Sequence, residues 1–210
     1  MNLYDISILL KEDIVVWEDK FKPEIKQYSF IDKGDLSNTS CLKMDLHTGT
    51  HMDLPYHFIE EGKKSDDFDL GYFFMKAIVI ECRCTAIERK FLESVEIPEN
   101  VKAVLFKTNN YLLYRKKKFS KNYTYLDVDG AKFLVEKKIK LVGIDYLSIE
   151  KYGENEFPVH KILLGNNILI LEGLNLEHVK DGKYDLFAVP LKIANVEALP
   201  VRAFLIKREE

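Results

Sequence analysis

Short apolar runs rich in β-branched and aromatic residues recur along the chain, and they constrain its fold more than any other feature. Each has the length of a β-strand, and none approaches the roughly 20 residues of a membrane-spanning helix. The six clearest runs are residues 76–84, 102–108, 140–145, 167–174, 184–193 and 200–207. With a further run, NLYDISILL, near the start, they predict a chain built mainly from strands.

Helical patterns are fewer. Residues 127–139 predict one helix, with an aspartate of the opening DVD as its N-cap. Residues 85–95 predict a second helix, and residues 174–179 predict the start of a short third. No repeat, linker or abrupt change in composition divides the chain. We therefore predict one α/β domain over residues 1–210, with a mixed, largely antiparallel β core and a few peripheral helices.

The composition argues against several classes of partner. A net charge of -3 gives no overall electrostatic attraction to nucleic acid or to an anionic membrane. The N-terminal segment lacks a basic start followed by an apolar run, so we expect no signal peptide. Three cysteines, an odd number, predict reduced thiols and no disulfide framework. We therefore expect a cytoplasmic protein that binds neither nucleic acid nor membranes.

One basic run, YRKKKFSKNY at residues 114–123, interleaves lysines with aromatic residues. This pattern is compatible with RNA binding. A solvated loop between a strand and a helix is the interpretation we prefer, because the net charge of the chain is negative.

The histidines are concentrated in one segment. Three of the five, His47, His51 and His57, lie in DLHTGTHMDLPYHF together with Asp53. At roughly 3.3 Å per residue, a straight strand would hold His47 and His51 about 13 Å apart, too far to share a ligand. A helix is disfavoured by the Thr-Gly-Thr sequence between them and by the proline that follows. We therefore predict a bend at Gly49 that turns His47, His51 and Asp53 inward together.

These residue types suit a divalent metal. Two neutral imidazoles and one carboxylate form a ligand set fit for Zn²⁺, Mn²⁺ or Fe²⁺, with positions left open for water and substrate. His57 is either a further ligand or a general base. The alternative is that the histidines only satisfy local hydrogen bonds. Their clustering around an aspartate and a glycine favours the metal site.

Two further residues are ambiguous on the sequence alone. His160 follows a proline and is compatible with a purely structural role. Glu172 interrupts the apolar run NILILEGL, where a carboxylate is costly to bury unless it is paired or binds a cation. An equally valid position for Glu172 is the solvent face of an edge strand. His178 lies in a polar stretch and is expected at the surface.

The segment HTGTHMDLPYHF resembles the signature of the cyclase-like metal-dependent hydrolases, which include bacterial kynurenine formamidases and isatin hydrolases. The resemblance extends over nearly the whole chain. The other matching segments are YDISILL…VVW, LVGIDYLSIE, HKILLGNNILILEGLNL and LPVRAFLIK. It implies a compact α/β domain with an antiparallel β core that forms homodimers or homotetramers.

The resemblance also implies a set of metal ligands. Asp53 would bridge two metals in the formamidases, and the second site would be completed from the far end of the chain. The implied ligands are His47, His51, Asp53, His160 and Glu172. Two cations would offset the burial of a carboxylate inside an apolar run. The cofactor implied is Zn²⁺, as one or two ions, with Mn²⁺ as an alternative.

The resemblance assigns His57 to proton transfer and Trp17 to the wall of the substrate pocket. It implies an arylformamidase that converts N-formylkynurenine to kynurenine and formate with a metal-activated water. The chain departs from the formamidase pattern at one place. The tryptophan is followed there by Pro-Gly-Asp, and here by Glu18, Asp19 and Lys20. This segment shapes the pocket and therefore bears on the substrate.

Three other functions are compatible with the same residues. The nearest is a ring-opening hydrolase of isatin or another cyclic amide. A cyclase or dehydratase acting on a different metabolite is the second. The third is a non-catalytic protein that kept the fold and binds metal, and the presence of both His57 and the full ligand set argues against it.

Overall fold

The computed structural model describes residues 2–207, and each of the seven runs predicted as strands contains one, while five further strands lie outside those runs. The strands are β1 (Asn2–Asp5), β2 (Glu24–Ser29), β3 (Thr39–Lys43), β4 (His51–Asp53), β5 (Phe74–Glu81), β6 (Ala86–Ile87), β7 (Ala103–Lys107), β8 (Tyr125–Leu126), β9 (Leu141–Ile144), β10 (Leu169–Glu172), β11 (Gly182–Pro190) and β12 (Ala198–Lys207). The α-helices are α1 (Arg89–Glu93), α2 (Tyr111–Tyr114), α3 (Val128–Glu136) and α4 (Pro158–Gly165). Single 3₁₀ turns lie at Trp17–Asp19, Ile31–Lys33, Pro55–His57, Ser65–Asp67 and Leu70–Phe73.

Seven strands form a closed ring in the order β12, β11, β5, β7, β9, β10 and β4, and β4 pairs back to β12. The pairs β5–β7, β7–β9 and β9–β10 are parallel. The other pairs of the ring are antiparallel. β1 pairs with the last residues of β12. The domain is α/β with few helices, but the expectation of a largely antiparallel core is wrong, because the core is a mixed barrel.

Side chains alternate between two apolar layers along the parallel strands. In β7, Leu105 belongs to the cluster that fills the barrel, whereas Val104 and Phe106 belong to the cluster between the barrel and the helices. β9 and β10 are buried at every position. Burial on both faces is the usual state of parallel strands, and it explains why these runs are apolar without alternation.

The helix predictions had mixed success. The helix expected at 127–139 is α3, and the Asp127 side chain accepts a hydrogen bond from the backbone N–H of Asp129 at 2.9 Å. In the segment 85–95 the predicted helix is reduced to the short α1, which follows strand β6. The helix expected at 174–179 is wrong, because Leu174 forms a β-bridge with Ser7 and a turn follows. α4 was missed, since its first residue, a proline, suits a loop as well as a helix N-terminus.

The shortest strand of the ring, β4, positions the histidine-rich segment. It lies between β10 and β12, with Asp53 opposite Ile170 on one side and opposite Ala198 on the other. β2 and β3 form a separate two-stranded hairpin. Within residues 2–207, no helix is long and apolar enough to cross a membrane.

Candidate metal centre and active site

The bend expected before β4 is present at Gly49, which has a φ of 72°. This left-handed conformation suits glycine, and it turns the chain so that the side chains on either side face each other. The ring centroids of His47 and His51 lie 5.0 Å apart, far closer than a straight strand would allow. The bend is held from behind by Gly173, where an added Cβ would lie 2.1 Å from the Gly49 carbonyl oxygen.

A first group of potential ligands comes from this segment alone. His47 Nδ1 lies 2.9 Å from Asp53 Oδ1, and His51 Nε2 lies 3.4 Å from the same oxygen. His51 and Asp53 are buried, whereas His47 is partly exposed. One potential ligand atom from each of the three residues lies within 4.8 Å of the other two, close enough to share a metal ion.

A second group shares Asp53 with the first and adds two residues from far along the chain. His160 Nε2 lies 3.8 Å from Asp53 Oδ2 and 3.6 Å from Glu172 Oε1. The pairing of β10 with β4 sets Glu172 opposite His51. Glu172 is only 3% exposed and its strand has neighbours on both sides, so the alternative of a solvent-facing edge position is wrong.

The polar atoms between these residues fit a cation. His51 Nδ1 lies 3.0 Å from the carbonyl oxygen of Gly49, so Nδ1 donates its proton there and Nε2 is left with a lone pair. That lone pair faces oxygens of Asp53 and Glu172, which are also acceptors. Among the described residues, His51 Nε2 and Asp53 Oδ1 are buried without a hydrogen bond of good geometry, although His47 Nδ1 lies close to Asp53 Oδ1 as an ion-pair partner. Buried acceptors that face one another are stabilised by a positive charge, and this donor set fits a divalent metal.

The carboxylates shift the pKa values of the neighbouring histidines. Burial lowers the pKa of His47, but the charge and hydrogen bond of Asp53 together with the charges of Glu172 and Asp45 outweigh it and raise the pKa to about 9. Burial likewise lowers the pKa of His160, and the neighbouring carboxylates of Glu150, Glu172 and Asp53 together raise it to about 10. For His57 burial dominates and lowers the pKa to about 4, so this imidazole is neutral at neutral pH.

His57 lies beside the first group, at the end of the 3₁₀ turn that follows β4. Its ring centroid is 4.2 Å from that of His47 and 6.3 Å from that of His160. A neutral imidazole with a free lone pair at this position can accept a proton from a molecule bound between the two groups.

These residues form the floor of a cavity of about 660 Å³, a volume suited to a small organic molecule. Its walls are aromatic and include Trp17, Phe58, Tyr152 and Phe157. Trp17 is 39% exposed and packs against Phe119 with ring centroids 4.7 Å apart. The basic run at residues 114–123 therefore contributes Phe119 to the support of this wall.

The unusual segment after Trp17 also lines the cavity. Glu18 and Asp19 both adopt the left-handed backbone conformation, with φ of 50° and 56°. The Glu18 carboxylate accepts a hydrogen bond from the Tyr152 hydroxyl at 2.9 Å and pairs with Lys20 at 2.6 Å. The departure from Pro-Gly-Asp thus introduces a carboxylate and an ammonium group at the mouth of the cavity.

The sequence reasoning missed two carboxylates of the site. Glu197 lies 3.6 Å from His47 Nε2, and Glu150 lies 3.0 Å from His160 Nδ1. Neither residue stands in a recognisable motif. A weak signal existed for Glu150, because it ends the segment LVGIDYLSIE that continues a buried strand.

The chain is similar to several known proteins. The Cyclase family model, described as "Putative cyclase", matches residues 4–151. A kynurenine formamidase of Bacillus cereus is 36% identical over 204 residues, which cover 96% of this chain and 95% of the relative. A structure described as "The Structure Of Potential Metal-Dependent Hydrolase With Cyclase Activity" has a TM-score of 0.85 and 30% identity, over 100% of this chain and 99% of that one.

A crystal structure of an isatin hydrolase bound to the product analogue thioisatinate has a TM-score of 0.84, over 99% of this chain and 93% of that one. At 21% identity this likeness concerns the fold alone. The family model and the formamidase relative both match most of the chain. The chain belongs to the cyclase-like metal-dependent hydrolase family.

Proposed function

We propose that this protein is a metal-dependent hydrolase of a non-peptide amide bond, and that its substrate is an aryl formamide such as N-formylkynurenine. The observation that carries the proposal is the pair of ligand groups that share Asp53 at the floor of an aromatic cavity. The 36% identity to a kynurenine formamidase over 96% of the chain supports the same substrate class.

The residues proposed to hold metal are those whose acceptor atoms converge. His47, His51 and Asp53 would hold one ion, and Asp53, His160 and Glu172 a second. Imidazole and carboxylate ligands favour Zn²⁺, with Mn²⁺ as the alternative. When bound, such a cation lowers the pKa of a coordinated water and polarises a carbonyl oxygen.

The chain's own side chains supply the remaining functions. His57 accepts a proton at its ring nitrogen from the attacking water and returns it to the leaving amine. Its position between His47 and His160 supports this role. Trp17 offers an aromatic face on which the aryl ring of the substrate can stack.

The test replaces His57 with alanine and measures both turnover and metal content. We expect formamidase activity to fall at least about 100-fold, because general acid–base catalysis contributes that much, while the bound metal is unchanged. His178→Ala is the matched control, since that histidine is exposed in a turn away from the cavity, and it should keep full activity. Near-normal activity of His57→Ala would exclude the proposed proton transfer.

Ring opening of a cyclic amide such as isatin is the second candidate, since the same groups would perform it. One preparation assayed with N-formylkynurenine and with isatin separates the two, and the larger kcat/KM identifies the substrate class. Full metal occupancy without hydrolysis of any formyl anilide or lactam would instead indicate a protein that only binds metal.

We also propose that the protein is cytoplasmic and forms homodimers or homotetramers. The projecting β2–β3 hairpin exposes apolar side chains, including Ile25, Tyr28 and Leu42, which supports self-association. Light scattering on the purified protein measures the assembly directly, and a monomer at micromolar concentration would contradict it.

A further inference from the structure

Glu150 is a buried carboxylate that contacts the candidate metal centre without belonging to either ligand group. It is 3% exposed and ends the segment that follows β9. Its backbone is fixed at two points. The Tyr123 hydroxyl donates to its carbonyl oxygen at 2.8 Å, and its own N–H donates to the Ser148 hydroxyl at 3.1 Å.

The carboxylate of Glu150 accepts three hydrogen bonds at one oxygen. Oε2 accepts from the backbone N–H groups of Val159 at 3.0 Å and His160 at 3.1 Å, and it lies 3.0 Å from His160 Nδ1. A carboxylate can only accept here, so Nδ1 carries the ring proton of His160. The other ring nitrogen, Nε2, faces Asp53 and Glu172 and is the one that can offer a lone pair to a cation between them.

The residue before Glu150 holds the other far ligand. The backbone N–H of Ile149 donates to Glu172 Oε1 at 2.7 Å. Two consecutive residues of one segment therefore fix both side chains that the second ligand group takes from the far end of the chain. Partners of this kind, behind the ligands themselves, commonly change metal affinity about 10- to 100-fold when removed.

We propose that Glu150 is a positioning residue that selects the ring orientation and tautomer of His160 and so completes the second metal site. This inference rests on the proposed function, because it needs a cation at Asp53, His160 and Glu172. Without Glu150 the His160 ring loses the acceptor that keeps its proton on Nδ1. Nε2 is then no longer kept unprotonated and available to bind a cation.

A purely structural role makes a different prediction. Glu150 also bonds the first N–H groups of α4, so its loss would lower the unfolding temperature in any case. Metal affinity separates the two roles. Glu150→Gln presents a carbonyl oxygen that can take the place of Oε2, and it should largely rescue the site, whereas Glu150→Ala cannot.

The experiment titrates Zn²⁺ into metal-free wild type, Glu150→Ala, Glu150→Gln and Glu156→Ala in competition with a chelator. We expect two equivalents for the wild type, an about 10- to 100-fold weaker second equivalent for Glu150→Ala with the first retained, and near-normal binding for Glu150→Gln. Glu156→Ala removes an exposed carboxylate beside α4 and should bind as the wild type does.

A double-mutant comparison shows whether Glu150 acts through His160. Glu150→Ala should add nothing to the loss of the second equivalent already caused by His160→Ala. If the double variant instead showed the sum of the two single losses in metal affinity, the inference would be overturned. Unchanged metal affinity of Glu150→Ala, or a wild type that binds a single equivalent, would overturn it as well. A wild type that binds no metal would instead overturn the proposed function.

The histidine ¹⁵N spectrum of the wild type tests the same point without replacing Glu150. In the Zn²⁺-loaded protein the signal of the buried His160 ring should show the proton on Nδ1 and none on Nε2. A proton on Nε2 would overturn the inference.

Discussion

The parallel half of the barrel, β5, β7, β9 and β10, is buried on both faces along most of its length, whereas the antiparallel half is buried on one. In β11 and β12 side chains alternate between buried and partly exposed positions. The partly exposed row includes Phe187 and Phe204, which stack with ring centroids 4.9 Å apart. One ring of strands is thus stabilised in two ways, by helices on one side and by cross-strand pairs on the other.

The candidate metal centre lies where these two halves meet. β4 pairs with β10 of the parallel half and with β12 of the antiparallel half. The ligand groups therefore depend on the correct position of both halves, and changes in each half should have different consequences.

The largest difference should come from one phenylalanine in each half. Phe106 is fully buried under the helices, and its replacement by alanine should reduce the free energy of unfolding by about 4 kcal/mol. Phe204→Ala removes a partly exposed ring and should cost about 1 kcal/mol. Urea denaturation of both variants measures the two values. Equal losses would contradict the distinction between the halves.

A single methyl group added where the two halves meet should reduce the stability of the fold almost as strongly. Gly173 has a φ of 67°, and a Cβ there would overlap the backbone of Gly49 at 2.1 Å. We expect Gly173→Ala to cost about 3 kcal/mol, since it combines an unfavourable conformation with a clash that only backbone movement can relieve. Gly34→Ala is the control, because it also has a positive φ but meets nothing within 4 Å, and it should cost about 1 kcal/mol. Thermal unfolding of the pair gives the comparison.

A pH effect is expected from a buried carboxylate of the parallel half. Asp145, after β9, accepts hydrogen bonds from the N–H and the hydroxyl of Thr108, after β7, at 2.8 and 2.6 Å. Burial raises the pKa of Asp145 from 3.8 to about 6, against the effect of these bonds. Between about pH 4 and 6 the folded state keeps a proton that the unfolded chain has released, so stability should fall by about 3 kcal/mol as the pH rises.

Asp145→Asn cannot titrate and should lack this fall. The measurement is the free energy of unfolding of both proteins in urea from about pH 4 to about pH 7. Parallel curves for the two proteins would show that Asp145 is not the group responsible.

The smallest effect is expected from an ion pair on the outer face of the antiparallel half. Arg202 forms two hydrogen bonds with Asp5, at 3.1 and 2.6 Å, but its side chain is 72% exposed. Solvent and salt screen such a pair. Arg202→Gln should leave the urea midpoint unchanged within error at physiological salt, and a clear shift would mean that this face is less solvated than its exposure indicates.

The sequence predicted the strands of both halves but not their direction. Alternation in β11 matched an antiparallel strand with one exposed face. The unbroken apolar runs of β7, β9 and β10 indicate burial on both faces. Whether two neighbouring strands are parallel or antiparallel, however, depends on the connection between them. The helix that crosses from β9 to β10 was hidden because it begins with Pro158. Because this crossover helix was not predicted, the parallel pairing of β9 with β10 was not expected.

The local part of the candidate site was easier to predict than the distant part. The bend at Gly49 followed from spacing alone, since neither a straight strand nor a helix brings His47 and His51 together. The convergence of His160 and Glu172 on Asp53 depends on the register of β10 against β4, which no local pattern encodes. Only the resemblance to a family pointed to those two residues, and it assigned no role to Glu150, which ends one of the matching segments.

Closure of the ring by β4 has a consequence for the order of events during folding. Its partners, β10 and β12, are synthesised long after it. Contacts between residues far apart in sequence also form slowly, because closing the long loop between them costs conformational entropy. His47, His51 and Asp53 therefore leave the ribosome with no strand available to pair with β4. The choice between one cation and another is then a property of the finished barrel, in which the distance between ligands is fixed, and not of the histidine motif in the growing chain.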